Sequence, residues 1–451
     1  MTGLAGLAAA NLVLAALGAG GLMLAGTWDR LRPASRIAPS LLAGFALAAA
    51  ALPPLIYAGL SPTPLVVGAL ALVALAGGLR RRRPRVDTDA SGGGLLVAAA
   101  GALITLPLLL RAATEPLTKF DAYADWTLKA KFLYGHGGLV SGAFDTRTLS
   151  AYYLPSHREY PIGLPSIEAF DFHLMGGADP LLIHVQFVVL AAAFAGTVWS
   201  LLRHRVGALL LVPALLLFAV SPGLHTQILS AYADAPIACL WAAAALAFGL
   251  WLLEDGDDRL ILGAVLAAGA LALKQEGIVL DAALFAVVAA ALTLRRSAPA
   301  ARRFGVAAGC VVLSAVPWQL WVRHHHLHDA DIGPSAGRMA RQAHTLPEIA
   351  HRLGAELLWL RWPGVVALAV LAAGLLLLRQ RDPLAAGYLA LLALSMAGVA
   401  AVYWNARVPI HGLLTQSAQR TVAAPIVLSV AAMPLLVSRI RSSGAATRLE
   451  G

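Results

Sequence analysis

Residues 120–139 read FDAYADWTLKAKFLYGHGGL. In a helix, Asp121, Asp125 and Lys129 recur every four residues and share one face. Carboxylates beside an ammonium suit proton removal from a hydroxyl and the steadying of an anion. Tyr123, Trp126, Ala130 and Leu133 share the other face, so the spacing predicts an amphipathic helix lying in a membrane interface. Gly135, Gly137 and Gly138 end it. The same spacing also has a plainer reading, in which Asp121 caps the helix and Asp125 pairs with Lys129.

Four further stretches concentrate polar residues. HREYPIGLPSIEAF begins at His157 and contributes Arg158, Glu159, Tyr160 and Glu168. Pro161 holds Tyr160 extended and Pro165 suits the first turn of a new helix, which also describes a simple rigid surface turn. In LSAYADAP, residues 229–236, Asp234 stands at the mouth of an apolar run as a helix cap or a functional acid. LKQEG, residues 273–277, puts Lys274 and Glu276 between two apolar runs. Charges at membrane depth are costly and usually functional or paired, whereas in a surface turn they cost little. In WNARVPIHGLLTQSAQR, residues 404–420, Arg407 and Arg420 suit a bidentate grip on phosphate. They also fit interfacial arginines reaching for water.

Histidines crowd at His324, His325, His326 and His328, followed by Asp329 and Asp331. Such a tract can bind metal, but consecutive histidines cannot all face one ion and no second ligand cluster stands out, so no metal site is assigned. No phosphate-binding glycine loop, dinucleotide fingerprint, nucleophile elbow or HExxH occurs.

The elements that must position these residues are membrane helices. Of 451 residues, 59% are hydrophobic and 13% charged, against about 25% charged in a soluble domain. The net charge of +10 does not point to nucleic acid, because the basic residues sit in short clusters between apolar runs. Cys239 and Cys310 fall inside apolar runs and say little about redox compartment. The first apolar run lacks a basic leader and is read as a retained helix. About thirteen candidate spans result, at residues 4–27, 37–60, 64–79, 95–113, 180–202, 206–220, 235–253, 260–273, 277–294, 304–322, 362–378, 384–403 and 421–437. The third, sixth and eighth are short enough to be tilted, broken or re-entrant. The chain is thus expected to be an all-α polytopic bundle with interfacial helices in its first large outer loop.

With the N-terminus outside, the arginine clusters at Arg30, Arg80, Arg203, Arg295, Arg303, Arg379 and Arg439 all fall inside, as the positive-inside rule requires. The acidic turn at residues 254–259 is the exception. Long outer segments then span residues 114–179 and 323–361, and all four lysines (Lys119, Lys129, Lys131 and Lys274) fall outside. Residues 1–94 read as three scaffold helices, 95–322 as the main helical module, 323–361 as an outer loop, and 362–451 as three helices and a cytoplasmic tail.

In their order, FDAYADWTLKAK, EYPIGLP, YADAP, KQEG and SAQRTVAAP resemble the GT-C superfamily of membrane glycosyltransferases. The likeness is to bacterial relatives of the protein mannosyltransferases and aminoarabinose transferases, and it covers roughly residues 95–437. Three N-terminal helices are extra, Asp121 is followed by Ala122 rather than a second acid, and no large C-terminal soluble domain is present. The resemblance implies an inverting enzyme of the bacterial inner membrane that moves a sugar from a polyprenyl-phosphate donor to a glycan, lipid or protein acceptor at the outer face. It implies Asp121 as general base with Asp125 as the alternative. Lys129, Lys274, Arg420 and Arg407 are the donor-phosphate cations, and Tyr160, Glu159, Asp234 and Glu276 shape the substrate pocket. It implies no certain cofactor beyond the lipid-linked donor. A secondary transporter and a non-enzymatic envelope-assembly protein are the competing expectations.

Overall fold

The computed structural model describes residues 3–31, 35–81, 105–139, 157–329, 331–333, 335–358 and 364–449, with side chains to residue 441. It is all-helical, and no strand occurs among the described residues. In chain order the helices are α1 Gly3–Ala25, α2 Ile37–Tyr57, α3 Pro64–Arg80, α4 Thr127–His136, α5 Gly163–Met175, α6 Ile183–Leu202, α7 Ala208–Val220, α8 Pro222–Ser230 and α9 Asp234–Glu254. They continue as α10 Asp257–Leu273, α11 Glu276–Arg295, α12 Ala298–His324, α13 Ala336–Arg341, α14 Leu346–Leu358, α15 Val365–Gln380, α16 Pro383–Trp404, α17 Ile410–Thr421 and α18 Ala423–Leu449. Residues 105–112 are also helical; the rest of the expected span at 95–113 lies outside the described residues.

Among the described residues, eight helical stretches are long and apolar enough to cross a membrane, with α17 and α18 counted together. A ninth span results if α7 and α8, bent by 49° at Ser221, are one. α3 and α15 are apolar but shorter, at 17 and 16 residues. α10 has 17 residues and begins with two aspartates.

The core forms around α9, an alanine-rich helix buried along most of its length. Small side chains let helix backbones approach closely where lipid supplies no hydrophobic drive between helices. α9 packs on α10, α18 and α6, while α1 packs on α2 and α3, and α2 on α10. Gly18 of α1 and Gly44 of α2 meet across that crossing, where a Cβ on either would run into the partner's backbone.

Charges gather at the two ends of the bundle. At one end Arg30 pairs with Asp258 (2.8 Å), Arg303 with Asp255 and Asp257 (2.6 and 2.5 Å), Arg205 and Arg259 with Glu254, and Arg439 with Asp382 (2.7 Å). The acidic turn at 254–259, odd by the charge rule, thus supplies partners for the arginines of neighbouring loops. Chain direction carries Tyr57, the start of α9, the end of α10, the end of α16 and the α17–α18 junction to the opposite end, where the candidate site forms.

Candidate functional site

The 120–139 segment is not the uniform amphipathic helix expected from its spacing. Ala122–Trp126 form a π-helical turn before α4 begins at Thr127. One extra residue in a turn rotates the rest of the helix by roughly 100°, so Asp121 separates from Asp125 and Lys129. The expected exposed polar face is corrected accordingly: Asp125 (1%) and Lys129 (0%) are buried, while Asp121 keeps 29% of its side chain exposed. Gly137 closes α4 at φ +74°, in line with the expected glycine stop.

Asp121 makes no cap. Its Oδ2 accepts from Arg420 Nη1 at 2.6 Å, across 299 positions of sequence. The Arg420 guanidinium also covers the Tyr232 ring, 4.3 Å from its centroid, and lies within electrostatic reach of Asp234. Asp234 opens α9, and its Oδ1 accepts from Lys274 Nζ at 2.9 Å. Lys274 stands in the two-residue break between α10 and α11, with extended backbone, and pairs at 2.7 Å with Glu276, the first residue of α11. Asp121, Arg420, Asp234, Lys274 and Glu276 therefore form a chain of alternating charge. Burial works against the Lys274 ammonium, but Asp234 and Glu276 hold its pKa above the ordinary lysine value.

A second group lies beside the first. Asp125 and Lys129 pair at 2.6 Å, the local partnership that spacing allowed. Burial raises the Asp125 pKa against the pull of Lys129. Lys129 also donates to the His157 carbonyl. His157 Nδ1 lies 3.3 Å from Glu159 Oε1, and Asp329 approaches both. Tyr160 joins the two groups. Its ring stacks on His157 (4.6 Å) and meets Trp126 (5.8 Å). Burial, then Glu276, Asp329, Asp125 and Glu159, push its phenol well above the usual value, so it is a neutral hydrogen-bonding group at the junction. The Glu159 carbonyl accepts from Gln275 Nε2 and from Trp318 Nε1, both at 3.1 Å, which ties the segment to the α10–α11 break and to α12. Gly163 seats α5 against the α10 backbone at Ala272, where a Cβ would not fit. A narrow apolar recess opens next to the charges, lined by Pro53, Tyr57, Pro161, Ile162, Leu271 and Trp318.

Nine of the ten residues singled out from sequence thus fall in these two groups. Arg407 lies at the same end of the bundle but joins neither. It is exposed with its guanidinium against Gly333, and makes no ion pair among the described residues. Its neighbour Ala406 bridges to Ile332, so the main role of this stretch is to hold the 331–333 loop. His324, His325, His326 and His328 are exposed and do not converge on one point.

Sequence reasoning passed over Tyr232, His157 as a side chain, Gln275 and Trp318, and it grouped Asp329 with the histidine tract rather than with His157 and Glu159. Tyr232 and His157 stood inside stretches already singled out. Trp318 lies in an apolar run that carries no polar signal. Also overlooked were Asp171 and the extent of Glu168's burial. Both carboxyls in α5 are buried without a hydrogen-bond partner, and burial holds both well above the usual carboxylate range. Comparison with known proteins finds no matching family model, curated protein or solved structure.

Proposed function

We propose that this chain is a polyprenyl-phosphate-sugar-dependent glycosyltransferase of the bacterial inner membrane, with about thirteen spans, the charged site on the outer face and the C-terminus in the cytoplasm. The supporting observation is the chain of alternating charge that joins Asp121 to Arg420 and Asp234 to Lys274. Nothing local in the sequence requires these pairs to meet. They do so at the end of the bundle opposite the arginine-rich loops, as an outward-facing site needs under the positive-inside rule. The motif order resembling the GT-C superfamily supports the same reading.

In this reading the acceptor hydroxyl gives its proton to a carboxylate as its oxygen attacks the anomeric carbon, and the bond from that carbon to the phosphate oxygen breaks. Asp121 fits the base better than Asp125, because it is partly exposed whereas Asp125 is buried against Lys129. Arg420 and Lys274 steady the charge that develops on the departing lipid phosphate. Both are already paired with carboxylates, so the arriving phosphate draws Arg420 from Asp121 and frees the base. The apolar recess beside Trp318 offers a surface for the first isoprene units.

The test is transfer by protein purified into lipid nanodiscs and supplied with labelled polyprenyl-phosphate sugars. Wild-type protein should release polyprenyl phosphate and label an acceptor, and Asp121→Asn should lose this activity while Asp125→Asn keeps part of it. Equal activity of wild type and Asp121→Asn would remove the proposal. A secondary transporter is the second reading. It is favoured by Asp281, buried within α11 without a hydrogen-bond partner, and by the helix break at Lys274. Labelled sugar accumulating inside sealed vesicles, with no product formed, would support it.

A further inference from the structure

By its place in the sequence Asp329 belongs with the exposed histidine tract, but its carboxylate turns the other way. One ligand atom each from His157, Glu159 and Asp329 lies within 4.8 Å of the others. We infer that these three side chains form a binding site for a single divalent transition-metal ion, of which Zn2+ fits the donors best.

The donors come from two chain segments about 170 positions apart, and each is held in place. The His157 ring stacks on Tyr160 at an interplanar angle of 16°. The Glu159 backbone is fixed by Gln275 and Trp318, and its residue is only 5% exposed. Asp329 Oδ1 accepts from the backbone N–H groups of Asp331 and Ile332 at 2.8 and 2.9 Å, which aims its carboxylate. In a tetrahedral zinc site, ligand atoms stand about 3.3 Å apart. The His157–Glu159 separation is already 3.3 Å, so a small inward movement of Asp329 closes the set.

Charge supplies an independent reason. Among the described residues, Lys129 pairs with Asp125, Lys274 with Asp234 and Glu276, and Arg420 with Asp121. Glu159 and Asp329 lie close to one another beside the His157 imidazole, which contacts Glu159 at 3.3 Å. Two carboxylates in a largely buried place repel, and one dication neutralises both. The imidazole favours zinc over magnesium or calcium, which prefer all-oxygen sites. Three protein donors leave a coordination position open. The site stands on its own donors whether or not the chain transfers sugar, and its test reads metal directly.

The experiment uses full-length, tag-free protein in nanodiscs, stripped with chelator and titrated separately with Zn2+, Mn2+ and Mg2+. Bound metal is measured by elemental analysis and stabilisation by thermal unfolding. The expected result is about one Zn2+ per chain with a raised melting temperature. Glu159→Gln and Asp329→Asn should each weaken binding roughly tenfold or more, since even outer-shell changes cost 10–100-fold. A variant with His324, His325 and His326 changed to Gln should retain the ion. Asp329→Asn lies in a half-buried loop and keeps the test decisive if Glu159→Gln fails to fold. Wild-type protein without tight zinc, zinc unaffected by Asp329→Asn, zinc lost with the histidine tract, or magnesium bound as tightly as zinc would each overturn the inference.

Discussion

The two ends of the bundle are built from the same ingredients, carboxylates paired with basic side chains, yet they differ in burial and in balance. At the arginine-rich end, Arg303 bridges Asp255 and Asp257, whose side chains are 71% and 59% exposed. Such pairs are screened by water and contribute little. At the other end, Lys129 and Asp125 are excluded from solvent, Lys274 and Asp234 nearly so, and among the buried charged residues described there acids outnumber bases. A chain does not need buried, unbalanced charge to sit in a membrane. At the arginine-rich end even the buried carboxylates, Asp258 and Asp382, each pair with an arginine that stays partly exposed, whereas at the opposite end both members of a pair are buried.

That contrast is broken most severely at the open edge of the acidic end. Arg420→Ala is expected to lower sugar transfer by about 10²–10³-fold, the usual cost of removing a donor from a preorganised anion site. Asp121→Asn should do comparable damage, with Arg420→Lys recovering part of the loss. Transfer assays on variants that elute as folded protein check this, and unchanged rates would make the Asp121–Arg420 pair merely structural. Next comes the buried pair. Lys129→Met leaves Asp125 uncompensated and should destabilise the protein by about 3–5 kcal/mol. Combining it with Asp125→Asn should recover much of that. Unfolding in mixed micelles measures both, and a double variant no better than the single would refute the pairing argument.

A smaller effect belongs to Asp171. Its carboxyl is fully buried, and burial raises its pKa well above the ordinary aspartate value. From about pH 4, where an unfolded aspartate ionises, up to its raised native pKa, the folded state binds the extra proton. Stability therefore falls as pH rises through that window. Asp171→Asn should flatten the profile of melting temperature between pH 5 and 9 and raise its alkaline end. A profile parallel to wild type would mean that Asp171 ionises without penalty. The smallest effect is expected from Arg303→Gln at the opposite end, where thermal unfolding should barely change. A large drop there would erase the distinction between the two ends.

Much of the architecture is written locally. The apolar runs at 37–60 and 235–253 became α2 and α9 nearly residue for residue, and the break at Lys274–Gln275 and the stop at Gly137 fell where charge and glycine indicated. The site was legible as a set of stretches but not as contacts. Spacing placed Asp121, Asp125 and Lys129 on one face, and the π-helical turn at Ala122–Trp126 divided them between two groups. Arg407 and Arg420 both read from sequence as phosphate-gripping cations, Arg407 the weaker candidate, and among the described residues only Arg420 reaches an acid. Asp329 looked like the end of a histidine tract and faces His157 and Glu159 instead.

By itself, the sequence determined the solvent this chain requires, the helices that lipid demands, and the short list of polar residues those helices would have to carry. Hydropathy, charge clustering and helix breaks act over a few turns, so they can be read from neighbours in the chain. Only the tertiary structure decided which charges meet, which are sealed from water and where acids exceed bases. Those outcomes depend on contacts between segments up to 299 positions apart, and helix packing, not sequence spacing, sets such distances.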